Sequence, residues 1–124
     1  MSPDSLDLAH HHRAGIVLFQ AGLYWEAHEA WEYCWRAASS PDSTWYKGLI
    51  QTAAALEQWR RGNRRGLLRN WEKARAKLID APAIWRGVDI ARLVVAMDQF
   101  TSGDDTRVAP VVIMADTPPQ ETSW

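Results

Sequence analysis

The chain has 124 residues, and its 14 lysines and arginines nearly balance its 15 aspartates and glutamates, for a net charge of −1. This balance gives no general attraction to nucleic acids or anionic membranes, and the length fits one domain with its own core. A single cysteine, no signal-peptide pattern and no apolar run of about 20 residues together predict a cytoplasmic protein without internal disulfides or membrane segments.

Helical periodicity divides most of the chain into five predicted helices. Their approximate ranges are 6–22, 24–38, 44–61, 64–78 and 88–100. Gly22 is placed to end the first helix, and Gly62 with Asn63 forms a helix end followed by an N-cap. Short connections imply antiparallel neighbours, so the fold class is an all-α bundle in a single domain, residues 1–102.

The segments between and after these helices are predicted to be irregular. "DAPAIWRG" is predicted as a loop, and no strand pattern of useful length appears in the sequence. Residues 103–124 contain three prolines and no helical period, which predicts a tail that packs on the bundle or is disordered. Within this tail, "PVVIM" is a candidate for extended packing against the helices.

The third predicted helix is apolar around most of its circumference, which is typical of the central, buried helix of a bundle. One polar stripe interrupts it, formed by Lys47, Gln51 and Gln58 at intervals of four and seven. A buried amide left without a hydrogen-bond partner costs about 1–3 kcal/mol. We therefore expect this stripe to face other polar groups.

The second helix, "YWEAHEAWEYCW", presents two adjoining faces. Small and aromatic residues form the face that is predicted to pack in the core: Ala27, Ala30, Trp31 and Cys34. His28, Glu32 and Trp35 form the adjoining polar strip, and His28 and Glu32 lie four residues apart, one helical turn from each other. A cysteine on the packing side is expected to be unreactive.

Three interpretations of His28 and Glu32 remain open. The pair can share a divalent metal ion as ligands, with His12 as a further candidate. It can be a catalytic acid–base pair in which Glu32 orients the imidazole of His28. It can also be a structural hydrogen-bond network that fixes how two helices pack. In the first two cases, the predicted walls of the site are Trp31, Trp35, Gln51 and Gln58.

Two sequence blocks carry a resemblance to a known family. The first, "FQAGLYWEAHEAWEYCWR", contains the pattern H-x-x-x-E-x-x-W at His28, Glu32 and Trp35. The second, "GLIQTAAALEQWRRGNRRG", contains a G-L-I-Q run from Gly48 and an R-G-N turn ending at Asn63. Together they resemble the domain of unknown function 309 family of bacterial and archaeal proteins, across about residues 15–100.

The resemblance implies a helical fold and suggests metal binding by the His–Glu motif, without an established reaction. The chain departs from the family pattern before the R-G-N turn. Many members carry an aromatic–histidine pair there, whereas this chain has Glu57 and Gln58.

Two other classes of function are weighed against a small-molecule site. A helical interaction module would bind a protein partner or a second copy of the chain, and Trp45, Trp59 and Trp85 could serve it unless they fill the core. Nucleic-acid binding rests on eight basic side chains against one acid in residues 60–77. Because such runs are usually solvated helix faces, we rank nucleic acid last among the partners.

Overall fold

A computed structural model describes residues 5–103 of the chain. In this range the chain forms five helices and one small antiparallel hairpin. The elements in chain order are α1 (Ser5–Gln20), α2 (Tyr24–Ala37), α3 (Asp42–Arg60), α4 (Arg64–Leu78), β1 (Ile84–Trp85), β2 (Val88–Asp89) and α5 (Ile90–Ser102). The prediction of an all-α bundle is confirmed. The predicted tail lies outside the described residues except for Gly103.

The chain ends two of its helices with the same glycine turn. Gly22 and Gly62 both have φ of +79°, a left-handed conformation that costs glycine least. After α3, the Gly62 amide donates to the Trp59 carbonyl at 2.9 Å and the Asn63 amide donates to the Gln58 carbonyl at 2.8 Å. The Asn63 side chain then caps α4 by accepting from the Gly66 amide at 2.9 Å. The predicted helix end and N-cap are confirmed.

Helix α3 lies between α2 and α4 and packs against both, while α1 packs against α2. Nine of its residues are buried, including the carboxylate-bearing Glu57. Its glycine permits close approach, because a Cβ at Gly48 would lie 2.6 Å from the side chain of Leu78 on α4. The prediction of a central, buried third helix is therefore confirmed, and α3 is the element on which neighbouring side chains from α2 and α4 converge.

The three tryptophans considered for an interaction surface (Trp45, Trp59 and Trp85) contribute to the core. Trp85 is buried, and Trp45 and Trp59 are partly buried and pack against the core. Trp25, at the start of α2, is instead 48% exposed. The core therefore accounts for the three aromatics that the sequence offered as a binding surface.

The predicted loop between α4 and α5 contains a β-hairpin, which corrects the sequence prediction. Ile84 pairs with Asp89 and Trp85 with Val88. Arg86 and Gly87, the two turn residues, have φ of +49° and +81°, as in a type I′ turn. Strands of two residues are too short for hydrophobic alternation to reveal them, and arginine is not a residue that normally marks such a turn. Among residues 5–103, no helix is long and apolar enough to cross a membrane.

Candidate functional site

Helix α2 has the two faces that its sequence predicted. Of the residues predicted to pack, Ala27, Trp31 and Cys34 are buried, whereas Ala30 is only partly buried. His28, Glu32 and Trp35 are only partly buried, which places this strip at the edge of the core rather than inside it or on the open surface.

The His28 imidazole lies between an aromatic ring and a carboxylate. It stacks on the Trp25 ring, with 4.8 Å between ring centroids and 8° between planes. Its Nε2 lies 3.8 Å from Oε1 of Glu32, and Oε2 of Glu32 lies 3.5 Å from the Arg36 guanidinium. The His28 side chain is 18% exposed, so it is shielded from most solvent without being cut off from it.

A contact between Trp35 and Lys47 places the polar stripe of α3 opposite this strip. The Lys47 ammonium lies 4.5 Å from the centroid of the Trp35 ring. At 1.5 Å per residue, Glu32 and His28 lie about 4.5 and 10.5 Å before Trp35 along α2. Gln51 lies about 6 Å beyond Lys47 along α3. Because α3 runs antiparallel to α2, this places Gln51 between the levels of Glu32 and His28. We call these five residues (His28, Glu32, Trp35, Lys47, Gln51) the α2–α3 strip.

Two atoms of the α2–α3 strip are buried but unpaired. Nδ1 of His28 and Oε1 of Gln51 have no hydrogen-bond partner within the described part of the chain. Each such atom costs about 1–3 kcal/mol of folding free energy. Because most buried polar groups in native proteins are paired, two unpaired atoms on facing helices make the α2–α3 strip the candidate site.

Two predicted wall residues lie away from this strip. Trp31 is fully buried between α1 and α2, where its Nε1 donates to the His12 carbonyl at 3.2 Å and its ring fills the space a side chain at Gly15 would need. Gln58 lies near the end of α3, where its Oε1 accepts from Nδ2 of Asn63 at 2.8 Å. These contacts give Trp31 a packing role and Gln58 a role in the α3–α4 turn.

Glu57, near the end of α3, forms an ion-pair cluster. Its carboxylate accepts from Arg60 at 2.7 and 2.9 Å and from Arg61 at 2.9 Å. The hydrogen bonds from Arg60 hold the pKa of the Glu57 carboxyl below its usual range, although burial opposes that shift. Both arginines therefore pair with the Glu57 carboxylate near the end of α3.

The donor set around His28 does not make a complete metal site. Within residues 5–103, no group of three or more histidine, cysteine, aspartate or glutamate side chains is close enough to hold a metal ion. His28 and Glu32 can supply two ligands, whereas stable zinc sites generally use at least three from the protein. His12 points into a different cluster. The residues present therefore do not fit a metal centre built by this part of the chain alone.

That second cluster was not predicted from the sequence. It joins residues from α1, α3 and the hairpin, and we call it the Arg86 cluster (His12, Asp42, Tyr46, Arg86). Nε2 of His12 donates to the Arg86 carbonyl at 2.7 Å, and its Nδ1 accepts from the Tyr46 hydroxyl at 3.0 Å. This tautomer follows because the carbonyl can only accept. The Arg86 guanidinium donates to the Tyr46 hydroxyl at 3.3 Å and to Asp42 at 3.1 Å.

These bonds close a ring that runs from the Arg86 side chain through Tyr46 and His12 to the Arg86 backbone. The ring holds Arg86 at φ of +49°, a left-handed conformation that costs a residue with a Cβ about 1–2 kcal/mol. Asparagine or glycine would occupy this turn position with less strain. The hydrogen bonds of the Arg86 side chain therefore explain why arginine occupies this turn position, and they offset the backbone strain.

Burial dominates the titration of the groups at this cluster. It lowers the pKa of His12 to about 4, so His12 is neutral at pH 7. It also raises the pKa of the Tyr46 hydroxyl and brings that of the nearby Cys34 thiol to about 11. Cys34 is 2% exposed and its Sγ donates to the Leu8 carbonyl at 3.4 Å, in agreement with the expected unreactive thiol.

Part of this chain matches a known protein family. The model of the family described as "Domain of unknown function (DUF309)" matches residues 12–70, a stretch that contains both sequence blocks and every residue of the α2–α3 strip. No curated protein matches the chain. The match confirms, over residues 12–70, the resemblance that the two blocks indicated.

Proposed function

We propose that the α2–α3 strip binds a small polar substrate and acts on it by acid–base chemistry, with His28 as the proton-accepting group. One paired observation carries the proposal. Nδ1 of His28 and Oε1 of Gln51 are buried without a hydrogen-bond partner in the described residues, on two helices that face each other. A ligand that satisfies both atoms recovers free energy that the folded protein alone forgoes.

Glu32 defines how the imidazole would work. Its carboxylate lies on the Nε2 side of His28, at 3.8 Å, and favours the tautomer with the proton on Nε2. Nδ1 then carries the lone pair and accepts a proton. Because Oε1 of Gln51 is also an acceptor, the site favours a molecule with O–H or N–H donors. A water molecule held there would be activated for hydrolysis, so a hydrolase-like reaction is the natural class.

The structural-network interpretation is less well supported by the same atoms. A network that fixes helix packing stabilises the fold only if its members satisfy one another. In the α2–α3 strip, Glu32 bonds Arg36 of its own helix, and the described residues provide no hydrogen bond between His28 and Gln51. No step of the proposed chemistry passes through a metal ion, because the donor set supplies only two ligands.

A non-catalytic interaction module is the second candidate, favoured by one surface feature. Leu23 and Trp25 are 49% and 48% exposed at the start of α2, and the Trp25 ring stacks on His28. A protein partner or a second copy of the chain that covers these side chains would also close the site. If this surface mediates self-association, Trp25→Ser will shift sedimentation of the purified chain toward the monomer.

Hydrolysis of a panel of p-nitrophenyl esters and p-nitroanilides tests the proposed function. We expect the wild-type chain to hydrolyse a member of the panel, and His28→Gln to lose about 100-fold of that rate, as for removal of a general base. Glu32→Gln should lose less, because the imidazole remains.

Glu29→Gln is the matched control for charge. Glu29 is exposed on the same helix and forms no hydrogen bond or ion pair with the described residues, so its removal changes the net charge as Glu32→Gln does. Rates that are the same in the wild-type chain and in His28→Gln, across the whole panel, contradict the acid–base proposal.

A further inference from the structure

A cavity of about 150 Å³ opens beside the Arg86 cluster, away from the α2–α3 strip. Its lining combines polar and charged groups with a short apolar surface. The residues that matter for its chemistry are Leu8, Cys34, Ala38, Asp42, Tyr46 and Arg86. They come from α1, α2, α3 and the hairpin, so the cavity exists only when all four parts of the fold meet.

The charged groups of this cavity are held in fixed positions. The Arg86 side chain is 17% exposed, packs 5.4 Å from the Trp85 ring and is restrained by the hydrogen-bonded ring through Tyr46 and His12. Asp42, at 32% exposure, contacts Arg86 through Oδ2, and its Oδ1 forms no hydrogen bond within residues 5–103. The lining therefore presents one fixed cation and one carboxylate with an acceptor oxygen to spare.

This pairing selects for a ligand that carries both charges. A simple anion would be attracted by Arg86 but repelled by Asp42. A simple cation would be attracted by Asp42 but repelled by Arg86. We propose that the cavity binds a small zwitterion of the α-amino acid class, with its carboxylate beside Arg86 and its ammonium group beside Asp42. The arginine that the hairpin holds in a left-handed conformation supplies the carboxylate-binding group.

The size and apolar lining of the cavity further restrict which zwitterions it can bind. A cavity of about 150 Å³ can hold benzene, which has six non-hydrogen atoms. Alanine has the same number, and its methyl group matches the apolar surface of Leu8 and Ala38.

Titration of the full-length chain by amide NMR tests the proposal with three probes: L-alanine, propionate and ethylammonium. We expect alanine to give saturable shifts at 37–42 and 85–88, with an affinity at least about tenfold above that of either single-charge probe. Asp42→Asn should remove the preference for alanine over propionate. Asp80→Asn, at an exposed site outside the cavity lining, removes the same charge and should leave alanine binding unchanged.

Ala38→Leu provides a second variant that alters no charge. The leucine side chain, on the residue that follows α2, fills the cavity and should block alanine binding while the chain stays folded. Propionate binding as tightly as alanine would overturn the zwitterion in favour of a plain anion site. Failure of all three probes to give saturable shifts, or undiminished alanine binding in Ala38→Leu, would also overturn the proposal.

Discussion

Two partly or fully buried histidines of this protein have opposite surroundings. Both ring nitrogens of His12 are hydrogen-bonded, to the Arg86 carbonyl and to the Tyr46 hydroxyl. His28 has a carboxylate near Nε2, but its Nδ1 has no hydrogen-bond partner in the part of the chain described. The first histidine uses its bonding capacity to join three elements of the fold. The second retains capacity for a ligand.

The same contrast separates two glutamines of one helix. Gln58 uses its Oε1 to hold Asn63 in the α3–α4 turn, whereas Oε1 of Gln51 is buried and unpaired among residues 5–103. Among residues 5–103, the two buried side-chain polar atoms without a hydrogen-bond partner both lie on the α2–α3 strip. That coincidence, more than the presence of any one residue type, is the basis for proposing a binding site there.

The largest expected effect is on the structural member of the histidine pair. His12→Ala removes a buried side chain, deprives Tyr46 of its acceptor and deprives the Arg86 carbonyl of a donor. We expect the free energy of unfolding to fall by about 4 kcal/mol. Urea denaturation measures this loss. A loss of less than about 1 kcal/mol would show that the Arg86 cluster does not hold the fold together.

The pH dependence of stability should carry the signature of the same histidine. Burial lowers the pKa of His12 from 6.5 to about 4, so between these values the unfolded chain binds more protons than the folded one. Stability is therefore fully present above pH 6.5 and is lost as pH falls toward 4, by up to about 3 kcal/mol from this group. Denaturation at pH 7 and pH 4 measures the loss. In His12→Gln this pH dependence should flatten, and an unchanged slope would contradict the assignment.

Replacement of His28 should cost little stability. His28→Phe keeps an aromatic ring to stack on Trp25 and removes the unpaired Nδ1. We expect a change within about 1 kcal/mol, in either direction, because the lost contact to Glu32 is long, at 3.8 Å, and partly exposed. A loss as large as that of His12→Ala, measured by the same urea denaturation, would instead place His28 in a structural network.

Local chemistry explains what the sequence could predict. The ends of α1 and α3 follow from Gly22 and Gly62, and the start of α4 follows from the Asn63 cap, because these signals act within a few residues. The two faces of α2 follow from helical periodicity in the same way. His28 and Glu32 could be paired from sequence because they lie one turn apart on one helix.

Long-range contacts explain what the sequence could not predict. His12 meets Arg86 across 74 residues, and the hairpin that brings Arg86 there has strands too short to leave a periodic pattern. The sequence predicts Trp31 both on the packing face and as a wall of the site, and only its burial against Gly15 of α1 decides for the packing role. The pair Arg86–Gly87 was the local signal for this turn, but arginine is uncommon at the first turn position and so does not indicate a hairpin.

Comparison of Gln51→Met with Gln58→Met tests most directly whether the α2–α3 strip holds unsatisfied capacity for a ligand. The same substitution on the same helix removes a buried, unpaired oxygen at Gln51 and an exposed, hydrogen-bonded oxygen at Gln58. We predict that Gln51→Met raises the melting temperature by about 4 °C and that Gln58→Met lowers it by a similar amount, each corresponding to about 1 kcal/mol. A Gln51→Met chain that melts as far below the wild type as Gln58→Met would show that Gln51 is a structural residue, and would contradict the account.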